Sequence, residues 1–308
     1  APRHGTAYND TQFKFEMGPP PSFSTFYTGK AEHLPFEATA GRDADQHIVP
    51  LTRLNGVHFS SVAIGGHMHH NLAIDASDGS VKSWGYDSGS GLLGIGIVNK
   101  ADYLNRVYQR KMDGYVRRKL YGSKRMVDYN GFLIFSIEAF STSRAVQCVV
   151  GEEHSLILCE DGKLYGLGND KQNRLGHKGA SRPQLVEEAE KLKLSEQKFV
   201  QIAAGNKFNV GITEHAVLYV WGTLGRTQGK PVHVYSMFGQ NEFGDARPIK
   251  AECSDQAVLV LTSNGQCYVF GCAKVHGLGL GEQAEEQYVE KPQLIALPAS
   301  SKAIDIAA

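Results

Sequence analysis

Gly151-Glu152-Glu153-His154-Ser155-Leu156-Ile157-Leu158, followed by Asp161-Gly162-Lys163-Leu164-Tyr165-Gly166-Leu167-Gly168 and then Arg174-Leu175-Gly176, is one unit of a repeat. The frame returns upstream as His70-Asn71-Leu72-Ala73-Ile74, Asp78-Gly79, Trp84-Gly85 and Leu93-Gly94-Ile95-Gly96. Downstream it reads Val200-Gln201-Ile202-Ala203-Ala204-Gly205, then Leu218-Tyr219-Val220-Trp221-Gly222. A further copy runs through Val258-Leu259-Val260-Leu261, Asn264-Gly265, Cys267-Tyr268-Val269-Phe270-Gly271 and Gly277-Leu278-Gly279-Leu280-Gly281. Self-similarity at about 50 residues marks an array whose units cannot bury a core alone.

Each unit is a small sheet. Val146–Val150 and Leu156–Cys159 have strand composition, and Asp161-Gly162 supplies the positive φ that a tight hairpin needs. The strands are apolar along most of their length, which suits sheets covered on both faces. An aromatic-Gly or apolar-Gly step recurs at Gly29, Gly85, Gly168, Gly222 and Gly271. Three of those intervals lie between 49 and 56 residues and one is 83, so the long interval holds an insertion of about 30 residues. Pro50-Leu51, Pro183-Gln184-Leu185-Val186 and Pro292-Gln293-Leu294-Ile295 form a looser ruler, each expected to open the entry to a following unit. The frame has gaps: Phe208 stands for the motif His in one copy, Ser254 and Ala257 for its Gly and His in the next, and Glu214-His215 where Asp-Gly should turn.

These motifs resemble the repeat of the regulator-of-chromosome-condensation family. The resemblance covers roughly residues 24–308 and implies an all-β fold, a β-propeller of four-stranded blades. Seven blades are implied, of which the chain supplies five anchors and the opening of a sixth at Lys302–Ala308. The span is therefore expected to be incomplete at its C-terminus, because a blade halted in its first strand leaves a bare edge. Scaffold positions carried by the motif are Gly151, His154, Asp161, Gly162, Gly168, Gly205, Trp221, Gly222 and Gly271. His154 is expected to make a buried hydrogen bond that holds its blade.

Composition sets bounds. The chain of 308 residues balances 32 Lys+Arg against 32 Asp+Glu, so no global field favours nucleic acid or an anionic membrane. No apolar run approaches the length of a spanning helix. Cys148, Cys159, Cys253, Cys267 and Cys272 are scattered and odd in number, and read as small apolar residues of a reducing compartment rather than a disulfide framework. Residues 1–23, with Gly18-Pro19-Pro20-Pro21, lie outside the repeat and read as an extended N-terminal arm.

Candidate chemistry is sparse. Gly89-Ser90-Gly91-Leu92-Leu93-Gly94 spells a dinucleotide fingerprint, with Asp113 at a suitable distance, but it lies in the repeat frame without a βαβ unit and reads as a propeller loop. Gly225-Arg226-Thr227-Gln228-Gly229-Lys230 is one residue short of a phosphate loop, and Pro231 replaces the hydroxyl residue, so it too reads as a loop. His67-Met68-His69-His70 places two imidazoles on one strand face without a third ligand, and no metal or cofactor is expected.

The insertion, about residues 99–140, is expected to be partly helical, since Tyr103, Leu104, Val107 and Tyr108 fit a helical period over 101–112. Its cations Arg106, Arg110, Lys111, Arg117, Arg118, Lys119, Lys124 and Arg125 form a candidate partner-binding surface, and its tyrosines could stack on RNA bases. No Ser–His–Asp, Cys–His or paired-carboxylate arrangement stands out. The expected function is a non-catalytic interaction scaffold, a structural or assembly subunit of a larger complex, with a lean towards the mitochondrion over nucleus or cytoplasm. Guanine-nucleotide exchange on a small GTPase, which the resemblance implies for some members, and RNA contact through the insertion are the alternatives.

Overall fold

The computed structural model describes residues 58–65, 70–85, 90–96, 135–171, 173–176, 179–274, 278–280, 286–299 and 301–308, plus a backbone ladder between β1 (Phe26–Tyr27) and β2 (Val49–Pro50). Four antiparallel four-stranded sheets follow in chain order. Blade I holds β3 (Phe59–Ile64), β4 (His70–Asp75), β5 (Val81–Gly85) and β6 (Phe135–Ser136). Blade II holds β7 (Ala145–Val150), β8 (His154–Cys159), β9 (Leu164–Gly168) and β10 (Ala180–Leu185). A short ladder of β11 (Glu188–Ala189) and β12 (Leu192–Lys193) connects it to blade III: β13 (Phe199–Ala204), β14 (Phe208–Thr213), β15 (Leu218–Thr227) and β16 (Lys230–Phe238). One helical turn, α1 (Gln240–Phe243), precedes blade IV: β17 (Pro248–Cys253), β18 (Ala257–Thr262), β19 (Cys267–Lys274) and β20 (Glu286–Leu294).

The first strand of each blade touches the first strand of the next, β3 against β7, β7 against β13 and β13 against β17. The sheets therefore stand around a common axis as propeller blades, first strands innermost. The second strands β8 and β14 are buried along their whole length, and β4 at all but its last residue, which is why they read as unbroken apolar runs. The cores lie between blades. Leu72, Ile74 and Val81 meet Cys148 and Ile157 across blades I and II. Leu156 and Leu158 meet Phe199 and Trp221 across II and III. Val210, Val220 and Phe238 meet Val258, Val260 and Phe270 across III and IV. Each fully buried large side chain contributes about 1.5–3 kcal/mol, so a blade without its neighbour forfeits most of its stabilisation.

Three sequence expectations change. The proline ruler marks fourth strands rather than entries to new blades, since Pro183 lies in β10 and Pro292 in β20. These are edge strands of their sheets, where a residue without an N–H is tolerated. Residues 225–230 are not a loop: they close the β15–β16 hairpin, with Gln228 and Gly229 at positive φ forming its two-residue turn. Finally, Phe135–Ser136 pairs with β5, so the end of the stretch marked off as insertion contains the fourth strand of blade I. Residues 99–134 of the insertion and residues 1–23 lie outside the described residues.

Candidate functional site

The chemistry of the described blades is concentrated where one blade meets the next. The loop from first to second strand is closed by the same backbone bond in blades II, III and IV: Gly151 N–H donates to His154 O, Gly205 to Phe208 O, and Ser254 to Ala257 O. The side chain three residues on folds back over the loop. A Cβ on Gly151 would stand 2.1 Å from Cε1 of His154, and one on Gly205 would stand 2.0 Å from the Phe208 ring. Glycine is required there by the ring, not by the turn. Blade IV has the small Ala257 at that place and accommodates Ser254.

His70 and His154 are fully buried and reach into the following blade. Nε2 of His70 lies 2.9 Å from Oγ of Ser155. Nδ2 of Asn209 donates to the main-chain oxygen of Arg174, which turns Oδ1 of Asn209 towards His154, and Nε2–H of His154 donates to it over 2.8 Å. Nε1–H of Trp221 donates to the same Arg174 oxygen. The Arg174 side chain is buried too, its Nε–H donating to Lys171 O. Burial lowers its pKa, opposed by nearby Glu153, Glu152 and Asp170. Burial also pulls His70 down to about 4 and, with Arg174 beside it, His154 to about 3. Both imidazoles are therefore neutral in neutral solution and serve as struts.

A second set of contacts joins the first strands. Counting from the first residue of each, residue two is a β-bulge in every described blade (Ser60, Val146, Val200, Ile249), where the pairing with the second strand skips one residue. The bulge turns residue three towards the next blade. Cys148 N–H donates to Oγ of Ser61. Gln147 accepts from Ile202 N–H and donates to Ile202 O, each over 2.9 Å. Gln201 does the same to Ala251, over 3.1 and 2.9 Å. Lys250 donates to Ile306 O over 2.7 Å and to Asp305 over 2.6 Å. Residue three of one blade thus clasps the backbone of residue four of the next. By this register Ala303–Ala308 occupies the place of a further first strand, with Ile306 buried against Leu261 and Cys267.

Two features face outward. The bulged Val146, Val200 and Ile249 are 39%, 56% and 54% exposed, an apolar series near the axis. In blades III and IV the third and fourth strands run on past the second. Gly222 pairs with Phe208, the first residue of β14, yet β15 and β16 continue through Thr227 and Lys230. Gly271 pairs with Ala257, the first residue of β18, and β19 continues to Lys274. Two-stranded ribbons therefore project on the side of the Gly151–His154 loop. They pack on one another through Leu224, Val289 and Leu278. The ribbon of residues 223–237 carries Arg226, Lys230 and His233, all exposed, and no carboxylate.

Among the scaffold residues named from the motif, Gly168, Gly222 and Gly271 share one place. Their φ values are 101°, 113° and 127°, and a Cβ there would approach the carbonyl oxygens of Glu153, Lys207 and Gln256 within 2.6 Å. Gly162 takes φ 83° in the turn, where Oδ1 of Asp161 accepts from Lys163 N–H. The eight cations of the insertion, with His67 and His69, lie outside the described residues. Residues 90–96 form turns between β5 and β6, with Leu92 and Leu93 buried. Among the described residues no group of three or more His, Cys, Asp or Glu is placed to hold a metal ion, and no helix is long and apolar enough to cross a membrane. All five thiols are free. Sequence reasoning missed Gln147, Gln201, Lys250, Asn209 and Arg174. The signal was present as the recurrent polar residue directly before Cys148, Ile202 and Ala251: one polar side chain between a bulge and an apolar residue.

The fold and these junctions define a repeat propeller whose blades are pinned to one another by buried polar side chains. The repeat described as Regulator of chromosome condensation (RCC1) repeat matches residues 161–212 and 264–308. The first match runs from the hairpin turn of blade II into β14 of blade III, so the sequence repeat straddles a junction. The E3 ubiquitin-protein ligase HERC2 of Mus musculus is 29% identical over 253 residues, covering 78% of this chain and 4% of that protein. The ultraviolet-B receptor UVR8 of Arabidopsis thaliana is 24% identical over 84% of this chain and 50% of its own. The crystal structure of human WBSCR16 superposes with a TM-score of 0.60 at 20% identity, over 89% of this chain and 61% of that one. The chain spans half or less of the length of these curated relatives. The chain therefore carries regulator-of-chromosome-condensation repeats, and its fold is a β-propeller.

Proposed function

We propose that the protein is a non-catalytic interaction scaffold, a structural or assembly subunit of a larger complex, whose propeller presents loops and ribbons to protein partners. One observation carries this reading: the groups with chemical potential, His70, His154 and Arg174, are buried and engaged in joining blades, while the β15–β16 ribbon stands exposed with Arg226, Lys230 and His233 and no acid of its own. Buried struts hold a shape, and exposed ribbons on a rigid frame are where contacts are made. The cations Arg106, Arg110, Lys111, Arg117, Arg118, Lys119, Lys124 and Arg125 of the insertion belong to the same proposal as a second docking element. A mitochondrial location remains part of the proposal.

The test is recovery of native partners at moderate salt with the wild-type protein and with Arg226→Glu/Lys230→Glu and Arg106→Glu/Arg110→Glu variants. Loss of defined protein partners with unchanged folding is expected, and nuclease treatment should leave recovery intact. Binding abolished by nuclease would assign an RNA-contacting role instead. Robust acceleration of nucleotide release from a small GTPase by the wild-type protein would replace the scaffold reading with exchange activity.

A further inference from the structure

The hairpin turn of blade IV carries a reactive dipeptide that the turns of the other described blades lack. Where blade II turns on Asp161-Gly162, blade IV turns on Asn264-Gly265. Among the described residues Asn-Gly occurs here alone. In this dipeptide the main-chain nitrogen of the glycine attacks the side-chain carboxamide carbon. An N–C bond forms, the carboxamide nitrogen leaves as ammonia with the proton the main-chain nitrogen gives up, and a succinimide ring remains. Water then opens the ring at either carbonyl, giving aspartate or isoaspartate. A glycine leaves the attacking nitrogen unshielded, and here the fold requires glycine. Gly265 takes φ 83°, and a Cβ on it would stand 2.7 Å from Cβ of Lys302.

Asn264 is exposed, yet both reacting groups are held. Gly265 N–H donates to Thr262 O over 2.9 Å. Nδ2 of Asn264 donates to Oε1 of Gln266 over 2.7 Å, and Oδ1 of Asn264 accepts from Gln266 N–H over 3.3 Å. The Thr262 hydroxyl also donates to Oδ1 of Asn264, over 2.7 Å, and Thr262 is itself buried in the blade. The same turn holds the next first strand. Gly265 O accepts from Ala303 N–H over 2.9 Å, as Gly162 O accepts from Phe199 N–H. Ile306, further along, is buried against Leu261 and Cys267.

We propose that Asn264 is a spontaneous deamidation site, locked by Thr262 and Gln266 in the folded blade, whose isoaspartate product releases the strand at 303–306. The bonds of the turn keep the carboxamide from rotating onto the glycine nitrogen, so reaction waits for local opening. The two products have different consequences. Aspartate reproduces Asp161 of blade II, whose Oδ1 accepts from Lys163 N–H, and the blade keeps its shape. Isoaspartate inserts an extra carbon into the main chain ahead of Gly265 and displaces the carbonyl that Ala303 bonds.

The test follows conversion in full-length wild type, Thr262→Val and Thr262→Ser at mildly alkaline pH, with wild type also in urea. Mass change is read on the tryptic peptide 251–274, whose one asparagine is Asn264, and isoaspartate by enzymatic methylation. Folded wild type should convert at least about tenfold more slowly than the chain in urea, and at least about fivefold more slowly than folded Thr262→Val. Thr262→Ser keeps the hydroxyl and should match wild type. Equal rates folded and in urea, or Thr262→Val no faster than Thr262→Ser, would overturn the lock. So would hydrogen exchange raised throughout β17 and β18 in Thr262→Val, which would assign the faster rate to unfolding of the blade. In aged wild type, exchange at 303–308 should rise with isoaspartate content and stay unchanged in Asn264→Asp. A rise in both, or in neither, would overturn the release of the strand.

Discussion

Blade II meets blade III through a polar strut at His154, whereas the equivalent Phe208 belongs to the apolar core between blades III and IV. His154 reaches Asn209, and Asn209 and Trp221 converge on the Arg174 carbonyl. One blade on, Phe208 replaces the histidine and sits among Val258, Phe270 and Val210, while Phe238 and Phe270 meet edge to face at 5.3 Å. Either solution fills the space, but they respond differently to their surroundings. The contact made by Phe208 depends on volume alone. The polar junction depends on volume and on protonation, because a buried imidazole must stay neutral.

The largest expected effect is on the aromatic side. Phe208→Ala removes a fully buried ring and should cost about 3–5 kcal/mol in denaturant unfolding. His154→Ala should cost about 2–3 kcal/mol, since it leaves the buried Oδ1 of Asn209 without the His154 bond. Near-equal stability of His154→Ala and wild type would break the comparison.

The next effect separates the junctions by pH. The folded pKa values of His70 and His154, about 4 and about 3, lie below the unfolded value of 6.5. The unfolded chain therefore binds more protons between those limits. Stability is complete above pH 6.5 and falls as the pH drops towards 4, by on the order of 1.4 kcal/mol per pH unit per histidine. Tm measured from pH 7 to pH 4.5 should fall less steeply in His154→Phe than in wild type. Parallel curves would show that His154 does not carry the acid sensitivity.

A smaller effect tests why glycine precedes the ring. Gly205→Ala should cost about 1–3 kcal/mol alone and much less in a Phe208→Ala background, because the clash is with that ring. Additive effects would point to the backbone instead. Smaller still is the clasp: Gln201→Leu keeps shape but drops two hydrogen bonds to Ala251, and should cost about 1–2 kcal/mol. Charge reversal at Arg226 and Lys230 should fall below about 1 kcal/mol, as exposed charges do.

The motif positions were legible because each solves a local problem. Gly162 makes a turn, Gly168 takes a positive φ, and β8 is apolar because both its faces are covered. The ribbon at 223–237 was not legible, because Gly225 and Gly229 suggest a loop until the register of β15 with β16 is known. The prolines misled for a related reason: Pro183 and Pro292 are compatible both with a connection and with an outer strand, and only pairing tells which.

By itself, the sequence determined the period, the strands and the hairpin turns, because these follow from residue types at short range. Tertiary structure decided which side chains join the blades. Gln147 and Gln201 look like ordinary polar residues until a bulge turns them onto Ile202 and Ala251, about fifty residues further along the chain. Contacts over such separations depend on how whole sheets are set against one another, and no local pattern of residues encodes that placement.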